Sequence, residues 1–268
     1  MKHGIIDYEI IGEGTPVLII HGWGICRITM KTAFEPVFTK LEEDKKYKRY
    51  YIDLPGMGNS EHGDVRNSDD ILALLYDFAV NVIKEKFIVV GQSYGGLLVR
   101  GFVNKHQDWI KKIILLCPCI IPGVKKGRVE PLTVIEKDDE LLSSLTKEEY
   151  DSFTMMNVRL TKKVWERYRE SLMPALAMAD WKFLNRNLEG KFSFDPDKLD
   201  TPCKIPCLII AGKQDSVVGY KDQFDLMKVY PNSTYCAVEN AGHNLQIEQP
   251  EIFENLVYSW LRAQGKKD

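Results

Sequence analysis

No run in this sequence approaches the roughly 18 consecutive apolar residues of a membrane span. The N-terminus reads Met1-Lys2-His3-Gly4-Ile5-Ile6-Asp7, with charge where a secretory signal needs an unbroken apolar stretch, so a cytoplasmic location is expected. Charge of one sign is also missing. Lys and Arg number 36 against 38 Asp and Glu, a net charge of −2, which leaves no basic footprint for nucleic acid or an anionic membrane. The six cysteines lack a second cluster at zinc-ligand spacing. Cys117-Pro118-Cys119 and the Cys203/Cys207 pair therefore read as free thiols packed as small hydrophobes, and no metal or cofactor is expected. Cys26 stands just past a glycine loop, where a thiol can border a pocket.

Histidine is scarce, with five in 268 residues, and that scarcity sharpens what is present. The run Gly91-Gln92-Ser93-Tyr94-Gly95-Gly96 follows the apolar Phe87-Ile88-Val89-Val90 and opens the helix-like Leu97–Asn104. G-x-S-x-G at a strand-to-helix junction predicts a sharp turn that projects the Ser93 hydroxyl from the sheet edge. Glycines two residues before and after leave room where a Cβ would collide with neighbouring elements.

A serine hydroxyl needs a base, and the base needs a carboxylate to fix its tautomer. Pro206–Gly212 reads as a buried strand with Asp215 just beyond it; Thr234–Val238 reads as another, running out to His243. Both residues fall where open α/β sheets gather their functional groups, beyond the carboxyl ends of strands. His3 lies near a terminus, His106 ends a helical run, and His62 follows a turn that can border a site. Asp222 and Asp225 fall on the next helix, too far along to face the sheet edge. Ser93, Asp215 and His243 are thus the catalytic candidates.

Nearly the whole chain resembles the α/β-hydrolase fold family. Besides the serine turn and the Ser-Asp-His order, the resemblance rests on His21-Gly22-Trp23-Gly24 after Val17–Ile20, and on Asp53-Leu54-Pro55-Gly56-Met57-Gly58-Asn59-Ser60 after Arg49–Ile52. It implies that the backbone N–H groups of Trp23 and Tyr94 form an oxyanion hole, that His21 is structural, and that Asp53 braces the loop. Gly22, Gln92, Val217, Trp165 and Tyr168 are candidate substrate contacts.

The expected fold class is α/β: a mostly parallel sheet flanked by helices, with strands Ile5–Ile11, Val17–Ile20, Arg49–Ile52, Phe87–Val90, Ile113–Cys117, Cys207–Ala211 and Thr234–Val238. Helices are expected at 30–42, 69–84, 94–105, 220–230 and 250–264. Between Ile121 and about Thr201 the alternation stops. Helical runs at 137–145, 146–157, 161–172 and 174–187, with no strand, predict a helical cap at 122–200 inserted into a core of 1–121 and 201–268. Thr146 with Glu149 gives a capping-box pattern. The cap is rich in large side chains, including Met155, Met156, Trp165, Tyr168, Met173, Met178, Trp181 and Phe183. Most should hold the cap together, while a few face the nucleophile. Arg159, Arg167 and Arg169 ordinarily belong to the surface, although any of them is placed to grip a substrate carboxylate.

The expected activity is serine hydrolysis of small to medium carboxylic esters through an acyl-enzyme, on a small-molecule substrate, by a monomer or a homodimer. Two alternatives stay open: a carbon–carbon bond hydrolase of ring-cleavage products, and a ligand receptor of the same fold that turns over slowly. An aspartate-nucleophile dehalogenase or epoxide hydrolase is excluded by Ser93, and Tyr94 departs from the tryptophan of proline iminopeptidases.

Overall fold

The computed structural model describes residues 1–43, 45–120 and 129–263. One eight-stranded sheet runs through it, built from β1 (Lys2–His3), β2 (Ile6–Ile11), β3 (Thr15–Ile20), β4 (Tyr47–Ile52), β5 (Phe87–Gln92), β6 (Ile110–Leu116), β9 (Cys207–Gly212) and β10 (Ser233–Val238). The order across the sheet is β1-β2-β4-β3-β5-β6-β9-β10. β1–β2 and β2–β4 are antiparallel, and every other pair is parallel.

Period-two alternation divides the core between the two faces of this sheet. Leu18, Ile20, Phe87 and Val89 pack on one side with α2 (Ser68–Phe78) and α3 (Tyr94–His106). Val17, Ile19, Ile88 and Val90 pack on the other with α1 (Arg27–Leu41) and α10 (Pro250–Ala263). Strands covered on both faces must be apolar at every position, which is why they read as unbroken hydrophobic runs.

Between β6 and β9 stand β7 (Glu136–Lys137), α4 (Asp139–Ser144), α5 (Lys147–Thr154), β8 (Arg159–Leu160), α6 (Lys162–Ala177) and α7 (Trp181–Phe183). Thr146 and Glu149 form the expected capping box at α5. Two expectations for this stretch need correction. It is not strandless, since β7 and β8 pair in parallel over two residues each, too short to leave an alternating pattern. Nor does a helix start at Pro174. α6 runs through it to Ala177, because Leu172, Ala175 and Leu176 continue one packed face. That packing outweighs the ~3 kcal/mol an interior proline costs. The expected cap start at residue 122 lies outside the described residues, as does the expected helix end at 264.

α8 (Lys221–Asp225) follows β9, and α9 (Leu245–Glu248) precedes α10. No helix among the described residues is long and apolar enough to cross a membrane.

Candidate active site

Because β3, β5, β9 and β10 are parallel, the loops that leave them open on one edge of the sheet. β3 delivers His21–Gly24, β5 delivers Ser93, β9 delivers Asp215 and β10 delivers His243.

Ser93 has φ +52° and ψ −116°, a conformation that L-residues rarely hold. The surroundings enforce it. The Ser93 N–H donates to Leu116 O at 3.0 Å, while its carbonyl accepts from Gly96, Leu97 and Cys119. A Cβ on Gly95 would lie 2.5 Å from His21 O and 2.6 Å from Ile20 O, and one on Gly91 would lie 2.5 Å from Gly95 O. These are backbone atoms that cannot step aside, so only glycine allows the turn to nest between the strands.

His243 connects the other two candidates. Its Nδ1 is 2.9 Å from Asp215 Oδ2, and its Nε2 is 2.9 Å from Ser93 Oγ. An ionised carboxylate only accepts, so Nδ1 carries the proton and Nε2 is left to accept the Ser93 hydroxyl proton. Burial alone would push the Asp215 carboxyl up. His243 beside it, with the Val217 and Val218 amides on Oδ1, outweighs burial and holds it below the ordinary carboxylate value.

The amides of Trp23 and Tyr94 donate no hydrogen bond among the described residues. Their side chains meet edge to face, with ring centroids 5.2 Å apart, and the Tyr94 hydroxyl shares a 2.7 Å hydrogen bond with Ser68 Oγ. A Cβ on Gly22 would come within 2.2 Å of Gln92 Oε1 and 3.1 Å of Ser93 Cβ, so the loop approaches the serine closely only because that residue is glycine.

His21 is fully buried and holds this loop. Its Nδ1 donates to Gly22 O at 2.8 Å and its Nε2 accepts the Leu54 N–H at 2.9 Å, an arrangement only the neutral ring can make. Burial pushes its pKa down in the same direction. Asp53 accepts from the Arg27 and Asn59 amides and pairs with the Arg27 guanidinium at 3.0 Å. It thus ties the glycine-rich turn after β4 to the start of α1.

A cavity of 140 Å³ opens onto Ser93 and His243. Trp23, Ile25 and Gln92 line it from the core, with Val217 and Asn244 beside them; Met156, Tyr168, Leu172 and Leu176 line it from the helical segment. Gln92, Val217 and Tyr168 are thus brought together there. Gly22 sits behind them against Gln92. Trp165 is not around the cavity. It packs against Phe153 and Tyr168 inside the helical segment. Leu172, Leu176 and Ile25 escaped the sequence reading, because aliphatic residues at helical spacing carry no sign of which side faces a ligand.

None of Arg159, Arg167 and Arg169 borders the cavity. Arg159 pairs with Glu136, Arg167 donates to Ile247 O, and Arg169 is exposed. Cys26 is buried at the start of α1 and does not line the cavity, and burial pushes its thiol up to about 11, far from a reactive thiolate. His62 stacks on Phe183 in a separate open cleft of 740 Å³ that contains none of Ser93, Asp215 and His243. Cys117, Asp215 and His243 are the one group of potential metal-ligating atoms within 4.8 Å of one another among the described residues. The Asp215–His243 hydrogen bond already accounts for two of them, and burial pushes the Cys117 thiol well above its ordinary value, away from the thiolate a metal takes.

A family model described as alpha/beta hydrolase fold matches residues 15–250. An alpha/beta superfamily hydrolase from Oenococcus oeni superposes with a TM-score of 0.86 at 30% identity, covering 96% of this chain and 95% of that one. The chain is also similar to the 2-hydroxy-6-oxo-6-(2'-aminophenyl)hexa-2,4-dienoic acid hydrolase of Metapseudomonas resinovorans, 25% identical over 95% of this chain and 86% of that protein. A pimeloyl-[acyl-carrier protein] methyl ester esterase from Shewanella oneidensis is likewise 25% identical, over 97% and 95%.

Proposed function

The chain belongs to the alpha/beta hydrolase fold family, and we infer that it is a serine hydrolase cleaving small, uncharged carboxylic esters through an acyl-enzyme. The observation that carries this reading is the unbroken chain from Asp215 through His243 to Ser93, with both links at 2.9 Å.

His243 Nε2 takes the hydroxyl proton as Ser93 Oγ attacks the ester carbonyl carbon, and Asp215 stabilises the resulting imidazolium. The carbonyl oxygen becomes an oxyanion between the amides of Trp23 and Tyr94. Collapse breaks the bond to the alcohol, which leaves with the proton from His243. Water, deprotonated by the same ring, then attacks the acyl carbon and restores Ser93 Oγ–H. The helical segment over the cavity acts as a cap that keeps bulk water from the intermediate.

Two features favour an ester substrate. The cavity walls are mostly apolar, and among the described residues no Lys or Arg borders the cavity to pair with a substrate carboxylate. Relatives of both kinds, an esterase and a hydrolase of a dienoic acid, are similar to this chain to the same degree. Among the described residues, the carboxylate of such an acid would find no cationic partner at the cavity.

The test is steady-state hydrolysis of p-nitrophenyl acetate, butyrate and octanoate, with Ser93→Ala as control. Many turnovers per site are expected, and Ser93→Ala should lower kcat by about 10⁴-fold or more. Turnover that survives in Ser93→Ala rejects the mechanism. One stoichiometric burst with no further release identifies a slow receptor instead.

A further inference from the structure

Glu248 ends α9 and is 1% exposed, yet it forms no ion pair among the described residues. Three main-chain amides from two separate segments hold it instead. Oε2 accepts from Gly242 N at 2.5 Å; Oε1 accepts from Val158 N at 2.6 Å and from Arg159 N at 3.3 Å. Gly242 immediately precedes His243. Val158 and Arg159 connect α5 to α6, and so follow Met156 and precede Tyr168, two of the residues that line the cavity.

Nearby contacts repeat the same connection. Asn244 Nδ2 donates to Asn157 Oδ1 at 2.8 Å, and Arg159 Nη1 donates to Glu248 O at 3.0 Å. The segments are pressed so closely that a Cβ on Gly242 would lie 3.0 Å from Val158 Cγ1 and 3.1 Å from Met156 O.

Taking Ser93 and His243 as the reacting pair, we propose that Glu248 is a positioning residue. Its carboxylate clamps the loop that carries His243 to the helical segment over the cavity, so that imidazole placement and cavity closure are set together.

The chemistry requires a carboxylate. Both oxygens of the ionised group accept, so it can satisfy amides arriving from opposite sides. Glutamine offers one acceptor and turns an N–H₂ toward the other amide. A protonated carboxyl likewise turns an O–H toward one amide, which severs one side of the clamp. Burial raises the Glu248 carboxyl to about 7, with the charge of nearby Asp215 adding to it and the three amides opposing. The other charged or titratable groups packed around it are Arg159, which also pairs with Glu136, Arg167 through Ile247 O, His243 beyond Gly242, and Cys117, whose buried thiol meets Gly242 O and is pushed further up by the Glu248 charge.

The experiment compares wild type and Glu248→Gln in ester hydrolysis across pH, together with amide hydrogen exchange. A loss of about tenfold in kcat is expected near pH 8.5, shrinking toward parity near about pH 6, where the wild-type clamp is itself protonated. KM should change less than kcat. Exchange at Gly242 and at Val158 and Arg159 should quicken together. A pH-independent activity ratio, or faster exchange on only one segment, overturns the proposal. If Glu248→Gln does not fold, the wild type itself is the test: protection of the Gly242, Val158 and Arg159 amides against exchange should fall together as pH drops from about 8.5 to about 6, and protection that stays constant, or falls on one segment alone, overturns the clamp. The exchange readout does not depend on turnover, so failure of the serine mechanism in Ser93→Ala is distinguishable from failure of the clamp.

Discussion

The indole of Trp23 and the phenol of Tyr94 stand nearly perpendicular, at 89°, with centroids 5.2 Å apart. One residue follows β3 and the other opens α3, so this contact joins the two chain segments whose amides are the proposed oxyanion donors. The Tyr94 hydroxyl reaches a third element, at Ser68.

Side chain and main chain therefore have separable roles here. Tyr94→Phe keeps the ring contact and the amide and removes only the bond to Ser68. It should cost about 1 kcal/mol of stability and leave kcat within about twofold. Trp23→Ala also keeps its amide but removes the brace, and should lower kcat about tenfold or more through a displaced donor. Chemical denaturation and ester kinetics on both variants check the pair. A larger kcat loss in Tyr94→Phe than in Trp23→Ala would contradict it.

Much of the fold was legible because it rests on local rules. Uninterrupted apolar runs marked the inner strands, and the glycines at 91 and 95 marked the turn, since only their hydrogens fit against backbone carbonyls. Asp215 and His243 could be found because parallel strands deliver their loops to one edge. The helical segment was harder to read. Trp165 and Tyr168 lie three residues apart on α6, yet Tyr168 lines the cavity and Trp165 does not. That outcome depends on how α6 rolls against its neighbours, which no residue on α6 announces. Nothing in the sequence singles out Glu248, because its three partners are backbone amides and backbone leaves no trace in side-chain identity.

The helical segment is docked on the glycine loop through one exact fit. Gly24 has φ +67°, and a Cβ there would lie 2.2 Å from the Trp181 ring. Gly24→Ala should destabilise by about 2 kcal/mol or more, part from the left-handed backbone and part from the clash. Adding Trp181→Ala should recover the clash portion and leave the backbone portion, about 1 kcal/mol. Thermal unfolding of the two single variants and the double variant measures this coupling. Strict additivity would show that Trp181 does not rest on Gly24 in solution.

Glu248 predicts a pH dependence of stability with a definite sign. Its folded pKa, about 7, lies above the ordinary 4.5, so the folded state binds its proton more tightly than the unfolded state. The contribution is therefore fully present below about pH 4.5 and is lost as pH rises through about 7. Glu248→Gln cannot titrate. Its stability relative to wild type should thus rise between about pH 5 and pH 7.5, although above about pH 7 its clamp is the weaker one in catalysis. Denaturant melts at intervals across that range check the slope, and a flat or falling difference would reject the raised carboxyl.

If the proposed ester hydrolysis holds, the 140 Å³ cavity should set the acyl preference. Leu172 and Leu176, one turn apart on α6, form part of its wall together with Ile25 and Trp23 from the core. Leu172 is 4% exposed and belongs to the apolar cluster that also holds Tyr168, so shortening it opens space toward the interior of the helical segment. A long acyl chain gains there what the wild type denies it, and a methylene in an apolar pocket is worth about 1–3 kcal/mol of discrimination. Leu172→Ala should accordingly raise kcat/KM for the octanoyl ester relative to the acetyl ester by about tenfold or more. The same change should cost about 2–4 kcal/mol of stability, because the new space is empty in the free protein. Acetyl turnover should stay within a few-fold, since Ser93, His243 and the two amides are untouched. Kinetics on the three ester lengths measure the shift. An unchanged octanoyl-to-acetyl ratio would mean that the acyl chain leaves the serine by another route and that this wall does not select it.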